Sequence, residues 1–82
     1  MIEVLYFAWV RERVGHGRER VETGAATVGG LVEELRGRGE RYEAAFSDMG
    51  AVRVAVDQEL AGMDAPLRGA REVAFFPPMT GG

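Results

Sequence analysis

The chain contains no cysteine, no lysine and a single histidine. Without cysteine, neither a disulfide nor a thiolate metal site can stabilise the fold, and any sulfur chemistry must use something other than a side-chain thiol. Without lysine there is no Walker-type phosphate loop and no internal amine to accept an isopeptide bond. The missing lysine itself fits a genome or temperature preference for arginine on surfaces. The one histidine, His16, lies between Gly15 and Gly17 with no second nitrogen or sulfur ligand nearby. It is expected to be a solvent-exposed turn residue, not a general base, and no metal site is expected. Long hydrophobic runs are also missing. The apolar opening at residues 2–10 is interrupted by Glu3 and has no basic leader, so it is neither a secretory signal nor a membrane span, and the cytoplasm is the expected location.

Positive charge is neither dominant nor clustered: the net charge is -3, and the arginines are spread from Arg11 to Arg71. No basic stripe offers a nucleic-acid surface. What is present is a globular balance, with 46% hydrophobic and 28% charged residues in 82 positions. That length supports one hydrophobic core, so residues 1–82 are expected to form a single domain.

Residues 2–10, IEVLYFAWV, are rich in β-branched and aromatic types and are expected to form a first strand, followed by a loop through Gly15 and Gly17. Residues 18–23, RERVET, suit a short charged edge strand returning antiparallel to it. Thr27 can cap a helix in which Val28, Leu31, Val32 and Leu35 share one face. On that helix Glu34 and Arg38 are expected to pair, and Gly39 to close it. Gly29, Gly30 and Gly37 each weaken it by roughly 1 kcal/mol relative to alanine, so packing must hold it in place. Gly30 also stands at N3, where a capping glutamate is more usual. Tyr42, Ala45 and Phe46 repeat the helical spacing until residues 47–50 break it. Residues 51–57 alternate, and Asp57-Gln58 can turn the chain into a short strand at Glu59–Ala61. Residues 71–76, REVAFF, form the last strand before Pro77-Pro78 forbids further ladder pairing.

The two most apolar strands are thus first and last, and belong in the sheet centre. Side by side and parallel, with the helix crossing over one face, they give an α+β, ubiquitin-like β-grasp: a mixed sheet of about five strands with one main helix on one face.

The carboxylates offer no paired site, because Glu33, Glu34, Glu40 and Glu43 flank helical segments on their solvent faces. No GxGxxG follows a strand, so no nucleotide pocket is encoded. The closing FFPPMTGG has more chemical logic. The prolines stiffen the exit, whereas Gly81 and Gly82 can thread a channel closed to any side chain. A carboxylate is a poor acyl donor until an ATP-dependent partner converts it to an acyl adenylate; sulfur can then displace AMP, leaving a nucleophilic thiocarboxylate. Two terminal glycines fit a frayed chain end equally well. A second clue is alternation. If Val4 and Phe75 are core, then Leu5, Phe7 and Phe76 lie on the opposite sheet face, joined by Leu60, as an exposed apolar patch beside the tail, unless they fold under a loop.

The opening MIEVLYFAWVRERVG, the hairpin VAVDQEL and above all the closing REVAFFPPMTGG resemble the small-subunit (MoaD) family of molybdopterin synthase. The likeness spans the chain and is least specific at residues 18–50. It implies a β-grasp sulfur carrier that binds no cofactor itself and is adenylated at Gly82 by an ATP-using, ubiquitin-activating-like adenylyltransferase. A sulfur donor protein would then load it. The flexible tail at 77–82 (Pro77, Pro78, Met79, Thr80, Gly81, Gly82) would insert into the large subunit of a heterotetramer carrying one small subunit at each end. There the thiocarboxylate would give sulfur to cyclic pyranopterin monophosphate, two deliveries making the dithiolene of molybdopterin. Phe7, Arg11, Leu60 and Phe76 would line the partner surface. The chain would not be an enzyme by itself; the catalytic side chains would belong to the large subunit. The alternatives are a sulfur carrier for thiamine or tRNA thiolation, a protein modifier joined through Gly82 to lysines elsewhere, and a non-covalent interaction module.

Overall fold

The computed structural model describes residues 1–78. The element order is β1 (Ile2–Tyr6), α1 (Ala8–Val14), β2 (Arg18–Val21), α2 (Val28–Arg36), α3 (Glu40–Ala45), a 3-10 turn (Met49–Ala51), β3 (Arg53–Val56), β4 (Glu59–Ala61) and β5 (Glu72–Phe76). The strands form one mixed sheet in the order β2-β1-β5-β3-β4. The first and last strands are parallel neighbours, with Val4 opposite Val73, and the other pairings are antiparallel. This is the expected β-grasp, with α2 as its main helix and two shorter helices besides.

Period-two alternation sends Val4, Tyr6, Val73, Phe75 and Val54 to the inner face, where they join Val28, Leu31, Val32 and Leu35 of α2 and Phe46 in the core. Thr27 caps α2 as expected, its hydroxyl accepting from the Gly30 N–H at 3.2 Å. Two of the glycines that weaken this helix, Gly29 and Gly30, have a steric reason. A Cβ on Gly29 would lie 3.2 Å from the Met63 carbonyl oxygen and one on Gly30 3.1 Å from the Ala25 Cβ. The loop therefore comes close enough to accept hydrogen bonds from the free N–H groups of the first turn, Gly29 N–H to Met63 O at 2.7 Å and Val28 N–H to Ala65 O at 3.0 Å.

Three local expectations are corrected. The first strand ends at Tyr6, and residues 8–14 are helical rather than strand and loop. Ala8 has φ 53°, which no strand tolerates, and Val10 and Val14, one turn apart, are both buried. Gly15, at φ 104°, closes α1 by donating to Arg11 O at 2.8 Å. So β1 and β2 are joined through a helix, not by a hairpin turn. Second, α2 ends at Gly37, and Gly39 stands instead before α3. Third, Glu34 and Arg38 do not pair: Glu34 accepts from the Thr23 hydroxyl, and Arg38 reaches back to Glu19. Past Gly37 the helical spacing that the pair requires no longer exists.

Of the tail at 77–82, Pro77 and Pro78 are half-buried and belong to no strand, while Met79, Thr80, Gly81 and Gly82 lie outside the described residues.

Candidate docking face of the sheet

No helix of the described residues covers the sheet face opposite the core. A straight row of paired residues crosses it: Leu60 on β4 faces Ala55 on β3, Ala55 faces Ala74 on β5, Ala74 faces Leu5 on β1, and Leu5 faces Arg18 on β2. One step nearer the tail, Phe76 pairs with Arg53. Phe7 joins the same level, its N–H donating to the Phe75 carbonyl at 3.0 Å. Leu60 is 77% and Phe7 48% exposed, Leu5 and Phe76 are half-buried, and Ala74 is buried between its neighbours. Apolar side chains this exposed on a sheet face mark a candidate binding surface.

Cations border the apolar row. Arg11, Arg18, Arg20 and Arg53 are all exposed, and Arg18 forms an ion pair with Glu3. Leu5, Tyr6, Phe7, Arg11, Gly17 and Arg18 line an open groove of about 480 Å³ at the β1–β2 end. Arg11 lies along the loop backbone, since a Cβ on Gly17 would be 3.2 Å from its guanidinium. The structure therefore places Phe7, Arg11, Leu60 and Phe76 around one sheet face. Phe7 and Phe76 adjoin at the tail end, Arg11 shares the groove with Phe7, and Leu60 lies toward the far edge. Arg53 was not singled out from the sequence, although its alternation with Ala55 was a usable signal.

Behind the groove is a polar cluster that the sequence reading missed. Glu19 accepts from the Tyr6 hydroxyl at 2.7 Å and the Tyr42 hydroxyl at 3.0 Å on one carboxylate oxygen, and from Arg38 at 2.8 Å on the other. His16 Nε2 lies 3.1 Å from Glu19 and 3.3 Å from the Tyr42 hydroxyl, its ring edge-on to Tyr6. His16 is exposed in the turn, as expected, and in addition partnered there by Glu19 and Tyr42. Partial burial opposes the Glu19 charge, but the hydrogen bonds from His16, Tyr6 and Tyr42 outweigh it and hold the carboxyl below its usual range. Burial and then the adjoining carboxylate push Tyr6 far above the ordinary tyrosine range. Tyr42 is raised for the same reasons. The signal in the sequence was Val21: if it points inward, so does Glu19.

Among the described residues, no group of three or more His, Cys, Asp or Glu side chains is placed to hold a metal ion, and no helix is long and apolar enough to cross a membrane.

Comparison with known proteins gives the family. Residues 4–82 match the ThiS family. The molybdopterin synthase sulfur carrier subunit of Escherichia coli is 44% identical over 82 residues, covering all of both chains. That of Mycobacterium tuberculosis is 37% identical over 83 residues, with 99% of this chain and 96% of the relative covered. Among solved structures, the Haloferax volcanii protein SAMP1 superposes with a TM-score of 0.74 at 27% identity, covering 99% of this chain and 98% of the other. A Pyrococcus furiosus protein, provisionally named molybdopterin converting factor subunit 1, gives 0.73 at 27% identity, with 95% and 97% covered. The chain belongs to the ThiS family and groups with its molybdopterin synthase sulfur carrier subunits.

Proposed function

We propose that this chain is the sulfur-carrying small subunit of a cytoplasmic molybdopterin synthase. The observation that carries the reading is the 44% identity to the Escherichia coli subunit over the full length of both chains, a match that extends over the closing segment to Gly82. The uncovered apolar row supports it, because β5 is both the centre of that face and the strand that continues into the tail. A large subunit seated over Leu5, Phe7, Leu60 and Phe76 would have the tail leaving beside it.

The chemistry is carried by the end of the chain. The Gly82 carboxylate attacks the α-phosphorus of ATP in a ubiquitin-activating-like adenylyltransferase, and pyrophosphate leaves. The outer sulfur of a donor protein's persulfide then attacks the acyl carbon, and AMP leaves with the C–O bonding pair; a thiol cleaves the S–S bond of the acyl persulfide, forming a disulfide with the donor and freeing the thiocarboxylate. The resulting thiocarboxylate enters the large subunit, where its sulfur attacks a carbon of cyclic pyranopterin monophosphate and displaces an oxygen substituent, which leaves with the C–O bonding pair. Water cleaves the acyl carbon–sulfur bond and restores the Gly82 carboxylate. Two such deliveries give the dithiolene of molybdopterin. The small subunit positions the acyl group, and the large subunit supplies the catalytic side chains. ATP is consumed by the activating enzyme, not held here.

The test is intact mass spectrometry after incubation with the adenylyltransferase, ATP and a sulfur source. One oxygen replaced by sulfur, located at Gly82 by fragmentation, is the expected result; an unchanged mass with an active adenylyltransferase would rule the reading out. One observation favours a second reading. A second Haloferax volcanii structure, matching with a TM-score of 0.71 at 29% identity, is called small archaeal modifier protein 1. A modifier role predicts amide adducts on lysines of other proteins in cell extract. It does not predict chains of this protein on itself through lysine side chains, because it has none.

A further inference from the structure

The Glu19 cluster and the docking face share one short loop. Gly15, His16 and Gly17 connect α1 to β2, and both sides of this segment are engaged. Toward the core, His16 is held by Glu19 and Tyr42 and lies edge-on to Tyr6. Toward the groove, the Gly17 backbone supports the Arg11 guanidinium, while its carbonyl accepts from the Tyr6 N–H at 2.8 Å. Gly15 also fixes the end of α1, the helix that begins directly after Phe7 and carries Arg11. Moving the loop therefore moves what Arg11 rests on and where α1 ends.

Glu19 is the point from which this arrangement is held. Its carboxylate joins β1 through Tyr6, the loop through His16, the segment after α2 through Arg38 and α3 through Tyr42. The remaining charged side chain at this corner is Arg41 of α3, whose guanidinium lies where a Cβ on Gly15 would point, at 2.7 Å. Stability alone does not call for such a group, because an apolar side chain of similar volume commonly stabilises as well as a half-buried charge. A charged hub with directional partners fixes geometry instead, since each hydrogen bond is satisfied in only one arrangement.

We propose that Glu19 is a positioning residue for the docking face: through His16 and the 15–17 loop it sets Arg11, and with it the groove beside Phe7, without touching a partner. The inference rests on the reading of the outer sheet face as the docking surface.

A double-mutant cycle tests it, with recombinant molybdopterin synthase large subunit as the probe and calorimetry as the measurement. Glu19→Gln should weaken binding about tenfold in the otherwise native chain and by less than about twofold when Arg11→Ala is already present, the coupling expected of residues acting through one another. Combined with Phe76→Ala, which the loop does not support, the same change should be additive. Equal losses with and without Arg11 would overturn the proposal and leave Glu19 a structural residue. Tyr42→Phe, which removes one oxygen and with it the contacts to Glu19 and His16, repeats the cycle should Glu19→Gln fold poorly. A second measurement needs no partner: NMR of the isolated chain should show contacts between the Arg11 side chain and Gly17 that disappear in Glu19→Gln and Tyr42→Phe. If Arg11→Ala leaves affinity unchanged, the docking reading of Arg11 fails, yet the NMR contacts still decide whether Glu19 positions it. Contacts that survive both substitutions would sink the proposal.

Discussion

The rings of Phe46 and Phe75 meet edge to face with centroids 4.9 Å apart, both side chains fully buried. The next residue, Phe76, points to the opposite sheet face and pairs across the ladder with Arg53. Identical side chains one residue apart should therefore fail in different ways. Phe75→Ala removes a ring at the centre of the core and should destabilise by about 3–5 kcal/mol. That is a large share of the roughly 4–12 kcal/mol expected for a chain of this length. Phe76→Ala should leave the unfolding midpoint nearly unchanged and weaken large-subunit binding by roughly 2 kcal/mol or more, as for an aromatic anchor. Denaturant unfolding and calorimetry on the two variants separate the effects. The reverse pattern would mean that the faces are assigned backwards.

A stabilising change is available at the β3–β4 turn. Asp57 and Gln58 both have positive φ, 49° and 70°, the geometry of the two-residue turns that favour glycine or asparagine. Asp57 repays its strained backbone, since its carboxylate accepts from the Arg71 and Glu72 N–H groups, each at 3.0 Å, and its own N–H donates to Glu72 O at 2.9 Å. No such hydrogen bond is made by the exposed Gln58 side chain. Gln58→Gly relieves the strain at the entropic cost of a glycine in the unfolded chain and should raise stability by about 0.5 kcal/mol. Asp57→Gly should lower it, because the start of β5 loses its acceptor. Thermal unfolding of the pair is the measurement; a lower midpoint for Gln58→Gly would show that the turn is not strained at that position.

Much of this architecture was legible because single faces carried the pattern. Val28, Leu31, Val32 and Leu35 fixed the buried side of α2, and the alternation around Val4, Phe75 and Val54 gave both the core face and its opposite. The hidden element was α1. Residues 8–10 continue the apolar run of β1 with no turn signal between them, and two buried positions, Val10 and Val14, make too short a stripe to announce a helix by periodicity. Trp9 and Arg13 then stack at 4.4 Å one turn apart, a contact that needs the helix before it can exist. The Glu19 cluster was hidden for a related reason. Tyr6, His16, Glu19, Arg38 and Tyr42 come from separate segments, and no local spacing announces that they meet.

That cluster gives acid sensitivity a definite sign. Glu19 titrates below the ordinary carboxylate value of 4.5 in the folded chain, so the folded state binds its proton less readily than the unfolded state. The stabilisation is therefore fully present above the unfolded pKa and is lost as pH falls through the lower native one. Native stability should begin to drop as pH falls toward the ordinary value of 4.5 and go on falling below it, and Glu19→Gln should be less stable at neutral pH and flatter on that acid side. Glu43 is also held down, by its hydrogen bonds from Arg36, but on an open surface where solvent screens the pair. Glu43→Gln should thus leave the acid limb almost unaltered. Urea titrations at stepped pH compare the three proteins. An acid limb unchanged by Glu19→Gln would remove Glu19 as its source.

The proposed chemistry passes through one carboxyl group, so the most exacting test lies at the end of the chain. Deleting Gly82 shortens the reach by roughly 3.5 Å, the span of one extended residue, and leaves Gly81 short of the adenylation site. Reacting groups tolerate far less misplacement than that. Gly82→Val should fail for another reason, because its branched side chain meets the walls of a channel that glycine can enter. The described residues of the core and of the outer sheet face end at Phe76, and neither change alters one of them. Both variants should therefore unfold at the native midpoint and bind the large subunit through Phe7 and Phe76, yet accept no sulfur and support no dithiolene formation. Mass spectrometry and a dithiolene assay read this directly. A truncated chain that is sulfurated and turns over at the native rate would dispose of the sulfur-carrier reading, because the acyl carbon on which every step depends would be gone.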